Sequence, residues 1–266
     1  MVMLLKALLM GVVEGVTEFL PISSTGHLIL VGQLIDYPEN ARVTLELFIQ
    51  MGAILAVFWH YGPELTDLVR RLPSDSRARD LVLKVFLAFL PAAVIGLLFH
   101  HLIEEHLFNP RTVATTLILG GIVLLVVDRG GRHTRGVDRI EATGWGDALG
   151  IGIAQITSMV PGVSRAGATI VGGLLVGLSR PVATQFSFYL ALPTVSAASL
   201  FGLAKGLKLL TAADVVPLAL AFVAAFVSAL LVIRTFLVYV RSHDLRAFGW
   251  YRVALGILVY ALLARG

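Results

Sequence analysis

The chain has 266 residues, 57% of them apolar and only 14% charged, against roughly 25% charged in a soluble globular chain. The bilayer is therefore its main solvent, and a formal charge of +4, carried mostly by arginines in short loops, sets membrane orientation rather than nucleic-acid binding. The absence of cysteine excludes disulfides, thiolate zinc sites and cysteine nucleophiles.

In chain order, the opening segment places Lys6 before an apolar run. Glu14 and Glu18 interrupt that run and no small-residue cleavage site follows, so it is expected to be retained rather than removed as a signal peptide. A spanning helix needs about 20 mostly apolar residues. Six segments are predicted to cross: Thr44–Tyr61, Leu81–Leu102, Thr112–Val127, Val182–Ala204, Val215–Ile233 and Ala247–Leu263. Two further apolar stretches are interrupted, Met1–Ile35 at Pro21 and Trp145–Leu178 at Pro161 and Gly162. Proline removes a backbone donor and disfavours helix at the residue before it, so each stretch reads as two short helices joined by an irregular turn. Irregular backbone at membrane depth is tolerated only inside protein or beside a water-filled cavity. Both stretches are accordingly predicted to be re-entrant hairpins with tips meeting in mid-membrane.

The two stretches resemble each other. A shift of 140 positions lays Pro21 on Pro161, Ser24 on Ser164 and Gly32 on Gly172, and a shift of 139 lays Glu46 on Gln185. Each half then has one hairpin and three crossings. Three is odd, so the halves lie in opposite orientations, as in inverted repeats whose discontinuous helices build a midplane site. The expectation is an all-α integral membrane protein of one domain, 1–266, with repeats over about 1–128 and 145–264. One set of loops holds eleven arginines: Arg70, Arg71, Arg77, Arg79, Arg129, Arg132, Arg135, Arg139, Arg180, Arg241 and Arg246. The other holds Arg42, Arg111, Lys205 and Lys208, with Arg265 at the end. The first side is thus predicted to be cytoplasmic and both termini outward.

Glu14 and Glu18 stand four apart on a helix, with carboxylates about 6 Å apart on one face. Such a pair either faces solvent or shares a cation or a proton; in an apolar segment a hard, oxygen-ligated divalent cation, Mg²⁺ or Ca²⁺, fits. After Pro21, Ser23, Ser24 and Thr25 stand where a new helix begins. They can cap it, and free N–H groups there also form a phosphate cradle. A hydroxyl held at that cradle can attack phosphorus, with His27 on the same face to carry the proton. In the second stretch Arg165 cannot be neutralised, and its planar fork suits phosphate. The bland alternative is that it only balances a glutamate. Each charge near the bilayer centre costs roughly 2.5–3.5 kcal/mol, hence about 7–10 kcal/mol for Glu14, Glu18 and Arg165 together, which favours a working role. Their sum of −1 would repel a diphosphate, and a divalent cation turns it to +1.

The run Glu14-x-x-x-Glu18-Phe-Leu-Pro-x-Ser-Ser-Thr-Gly-His27 and the run Pro161-Gly-x-Ser-Arg165 resemble the two hallmark motifs of the bacterial undecaprenyl-diphosphate phosphatases associated with bacitracin resistance, and the resemblance covers nearly the whole chain. It implies a multi-pass enzyme of the bacterial cytoplasmic membrane. That enzyme hydrolyses undecaprenyl diphosphate to the monophosphate and renews the carrier lipid for cell-wall polymers, with its site opening to the periplasmic side. The resemblance makes Glu14 and Glu18 metal-associated, Ser24 the nucleophile and His27 its acid/base partner. Ser164, Arg165 and Thr169 become phosphate contacts beside Ser23 and Thr25. The family pattern continues Ser-Arg-Ser, whereas position 166 here is alanine, so one hydroxyl contact is absent.

Two routes remain open: attack by Ser24 through a phosphoserine, or attack by water activated by His27 or Glu18. The implied partners are a polyprenyl diphosphate and membrane lipid, with homodimerisation left open. The main rival is a transporter, which inverted repeats with broken helices also build but which has no need of a Ser/His pair beside paired glutamates. An intramembrane serine protease is disfavoured because the serine lacks a Gly-x-Ser-x-Gly setting.

Overall fold

The computed structural model describes residues 1–128, 137–206 and 214–263. Arg129, Arg132, Arg135, Lys208 and Arg265, used in the loop count, lie outside them. All regular structure among the described residues is helical. In chain order the α-helices are α1 (Val2–Thr17), α2 (Ser24–Leu34), α3 (Glu39–His60), α4 (Gly62–Arg71), α5 (Ser76–Leu107), α6 (Pro110–Val127), α7 (Trp145–Ile156), α8 (Arg165–Leu175), α9 (Arg180–Gly206), α10 (Val215–Ser242) and α11 (Arg246–Leu263).

Their boundaries follow from local chemistry. Asp75 caps α5 by accepting from the Arg77 N–H at 2.8 Å, and Asn109 caps α6 by accepting from the Thr112 N–H at 2.9 Å, with Pro110 in the first turn. The predicted break at Pro21 separates α1 from α2, and that at Pro161 and Gly162 separates α7 from α8. Between two predicted crossings lies the short helix α4, with Pro63 and Glu64 in its first turn and Arg70 and Arg71 in its last, each suited to its end of the helix dipole.

Among the described residues, five helical spans are long and apolar enough to cross a membrane: Ala41–His60, Ser76–Phe99, Pro110–Val127, Val215–Ser242 and Arg246–Leu263. The segment predicted as a further crossing, Val182–Ala204, forms most of α9 but is not among the five. It interleaves its apolar residues with Thr184 and Ser187, both completely buried. Large apolar side chains such as Leu98, Leu231 and Trp250 face outward, as a surface wetted by lipid requires.

Helix pairing is regular. α1 lies along α10 and α7 along α5; α1 meets α2 and α7 meets α8; α6 pairs with α11 and α3 with α9. Where α1 meets α10, a Cβ on Gly15 would strike the Ala225 carbonyl and the Ala229 nitrogen, so glycine lets the two backbones close up. One core cluster joins α5, α7, α8 and α9 around Phe186, Phe188 and Ile170; a second joins α1, α3 and α10 around Met10, Leu45 and Ile49.

The structure corrects the register between the broken stretches. Ser23 caps α2 with φ 72° and accepts from the Gly26 N–H; Ser164 caps α8 with φ 75° and accepts from the Gly167 N–H. At the other ends, Tyr37 N–H donates to Gly32 and Leu178 N–H to Gly173. Equivalent positions are therefore 141 apart, which matches Ser23 to Ser164, Ser24 to Arg165 and Gly32 to Gly173. The 140-residue shift holds only at the prolines. After Pro161 comes one extra residue, Gly162, at φ +90°, where a Cβ would strike the Thr116 hydroxyl and the Val113 backbone.

Candidate active site

The two turns meet, and the helices they start bring their first residues to one carboxylate. Glu18, buried just past the end of α1, accepts Ser24 Oγ on Oε2 at 2.6 Å and Arg165 Nη2 on Oε1 at 2.8 Å. Arg165 also donates to the Ser187 carbonyl at 3.3 Å and lies over the Phe19 ring at 5.6 Å. The capping serines occupy the third N–H of each helix. The N–H groups of Ser24, Thr25, Arg165 and Ala166 are left outside the helical pattern at two positive dipole ends.

Of the three residues after Pro21 that could cap α2, Ser23 does so while Ser24 bonds to a carboxylate, and Ser164, expected as a phosphate contact, has its hydroxyl engaged in capping α8. Thr25 is half-buried beside it. The expected Ser24–His27 contact is not made. His27 Nδ1 lies 2.7 Å from the Ser23 carbonyl and Nε2 lies 2.6 Å from the Tyr251 hydroxyl. Thr169 is fully buried behind Arg165, donating to the Arg165 carbonyl at 2.9 Å and pairing with Ser187 Oγ at 2.7 Å. That placement makes it a support for Arg165 rather than a group facing the cradle. Ala166 packs its methyl into the main core cluster.

Two groups on α11, Arg252 and Tyr251, complete the site. Arg252, 1% exposed, donates to the carbonyls of Pro21 (3.2 Å), Gly162 (3.0 Å) and Val163 (2.8 Å), and also to those of Thr116 and Leu117. It ties both irregular turns together by satisfying carbonyls that no helix can. Its signal was available, because an arginine inside the apolar run Ala247–Leu263 is a functional pointer in itself. Tyr251 beside it had no such signal.

Arg252 also changes the charge sum: Glu14, Glu18, Arg165 and Arg252 total zero. The case for a cation rests instead on Glu14, whose buried Oε2 has no hydrogen-bond partner. Both oxygens of Glu18 are engaged, so the uncommitted ligand of the expected pair is Glu14. No cluster of three or more His, Asp or Glu side chains suited to a metal occurs among the described residues. One or two carboxylates plus substrate phosphate is nonetheless how Mg²⁺ is usually held.

The fold and site define a helical membrane protein whose discontinuous helices converge on a buried centre of carboxylate, hydroxyl and guanidinium groups. The model of the bacitracin resistance protein BacA family matches residues 7–258, and the chain belongs to that family. It is 50% identical to the undecaprenyl-diphosphatase of Dechloromonas aromatica, over 98% of this chain and 94% of that protein. It is 50% identical to undecaprenyl-diphosphatase 2 of Rhodospirillum rubrum, over 98% and 95%. To the undecaprenyl-diphosphatase of Methylococcus capsulatus it is 49% identical, over 96% and 93%.

Proposed function

We infer that this chain is a membrane undecaprenyl-diphosphatase, hydrolysing undecaprenyl diphosphate to undecaprenyl phosphate and inorganic phosphate. The observation that carries the reading is the convergence of Ser24 and Arg165, first residues of two opposed helices, on the two oxygens of Glu18. A nucleophile, a proton acceptor and a guanidinium are thereby held at two helix starts suited to phosphate. Incubating purified protein with undecaprenyl diphosphate and measuring released phosphate tests it; binding without release would favour a transporter.

Ser24 attacks the terminal phosphorus in line, its proton passing to Glu18 at 2.6 Å. The bond from that phosphorus to the bridging oxygen breaks and undecaprenyl phosphate leaves. Arg165 and the free N–H groups of α2 and α8 stabilise the charge on the transferred phosphoryl group. Water then attacks the phosphoserine, Ser24 recovers its proton from Glu18, and the water's proton goes to His27. Direct water attack is the second route; the short Ser24–Glu18 bond favours the first. Glu14 is the residue to hold a divalent cation, which when bound supplies further charge neutralisation at the phosphates.

The membrane arrangement we propose has six crossings, with α9 joining the five apolar spans, and two re-entrant hairpins, α1–α2 and α7–α8, in inverted repeats over about 1–128 and 145–264. Supporting it are the matched pairings α1–α10 with α7–α5 and α1–α2 with α7–α8, and the equal caps of α2 and α8. The arginine asymmetry supports outward termini in the bacterial inner membrane, with a periplasmic site feeding carrier lipid back to cell-wall synthesis.

A further inference from the structure

His27 is held by two hydrogen bonds, neither of them to the nucleophile. A carbonyl only accepts, so the 2.7 Å contact with Ser23 places the hydrogen on Nδ1 when the ring is neutral. Nε2 is then the free base, and the Tyr251 hydroxyl donates to it at 2.6 Å. The two rings also stack, with centroids 5.6 Å apart and planes 4° from parallel. Tyr251 reaches in from α11 and stays 45% exposed, on the helix whose next residue, Arg252, ties the two turns together.

We propose that Tyr251 both fixes the tautomer and rotamer of His27 and passes it the proton of the attacking water, Nε2 taking the hydrogen of the Tyr251 hydroxyl as that oxygen takes the hydrogen of the water. This rests on the hydrolase reading above. A hydroxyl suits the task because it serves both charge states of the imidazole. It donates to Nε2 while the ring is neutral, and after Nε2 gains a proton it accepts from the new N–H. Phenylalanine keeps the stack and loses both bonds.

The test is a double-mutant cycle on phosphate release from undecaprenyl diphosphate, with Tyr251→Phe, His27→Gln and both together. Tyr251→Phe alone is expected to lower kcat roughly three- to tenfold, the worth of one hydrogen bond, with KM within about twofold of the parent. In the His27→Gln background the same change is expected to cost nothing, because Tyr251 acts through His27. Equal losses in both backgrounds, a raised KM with unchanged kcat, or no loss at all would overturn the proposal. Where His27→Gln leaves too little turnover to measure, ¹⁵N-histidine NMR of the whole protein in detergent takes over, with His27 assigned by difference. The parent should give a proton on Nδ1 and a hydrogen-bonded Nε2, and Tyr251→Phe should move the Nε2 resonance toward that of an unbonded imidazole nitrogen. An unmoved resonance would contradict the link. Absence of phosphate release from the parent would instead refute the hydrolase reading, leaving the NMR result to judge the Tyr251–His27 pair.

Discussion

Ser24 donates its hydroxyl hydrogen to Glu18 across the turn at Pro21, at 2.6 Å. The same carboxylate receives Arg165, its counterpart on the second short helix, at 2.8 Å. In the proposed reaction Glu18 therefore has two tasks, accepting the serine proton and orienting the guanidinium. Glu18→Gln keeps the shape, removes the basicity and weakens the ion pair. It is expected to lower kcat about a hundredfold or more, the usual range for a general base. Retention of Arg165 in place should keep KM within about tenfold. Steady-state phosphate release measures both, and an unchanged kcat would remove Glu18 as base.

Gly162 sits at φ +90° against Thr116 and Val113. Gly162→Ala adds a methyl that this backbone disfavours, costing about 1–2 kcal/mol before the collision is counted. Arg252 draws on the Gly162 carbonyl at 3.0 Å, so the turn and its arginine shift together. A lower thermal midpoint in detergent and a loss of turnover are the expected outcome, checked by a melting curve beside the activity assay. The parent's midpoint and rate in the variant would mean that the turn has slack.

Much of this site was legible because its chemistry is costly where it stands. Glu14, Glu18 and Arg165 inside apolar stretches can hardly be accidents, and prolines placed between short helices mark the turns that carry them. The partners were not legible. His27 lies three residues after Ser24 on one helix, which suggests a pair, yet the structure gives Ser24 to Glu18 and His27 to Tyr251, a residue 224 positions away. Tertiary packing decides between two acceptors that sequence spacing leaves equivalent. The repeat was visible at its prolines and lost a residue later, because one inserted glycine moves every following match by one. Arg252 was readable in principle, as a charge within a predicted crossing. Ser187, which holds Thr169 and Arg165 through a hydroxyl and a carbonyl, was one serine among many on a mixed helix.

A divalent cation is expected to raise activity, since buried Glu14 keeps one oxygen without a partner. Chelator should reduce phosphate release and added Mg²⁺ or Ca²⁺ restore it, whereas Glu14→Gln should be insensitive to either. Full activity in chelator would show that Glu14 serves without a metal.

Single cysteines introduced at Asp75 and Ser242, in a chain that has none of its own, test the orientation. Both lie on the arginine-rich side and should react with an impermeant maleimide only after the cells are opened. Labelling of either in intact cells would reverse or break the proposed topology.

The most direct test of the account is turnover by Ser24→Ala beside Arg165→Ala. As the proposed nucleophile Ser24 forms a bond only during reaction, so its loss should abolish kcat and leave substrate affinity nearly unchanged. Under the proposed mechanism Arg165 contacts phosphate in ground and transition states alike, so its removal should weaken binding as well, by roughly ten- to hundredfold for one charge-assisted contact. Because Ser23 adjoins Ser24, the double change Ser23→Ala with Ser24→Ala is measured alongside, to exclude a substitute hydroxyl. The account predicts no phosphate release from the double variant, with expression and substrate binding retained. Near-parent turnover in that variant would contradict it, making the serine a structural group and water, activated by Glu18 or His27, the nucleophile.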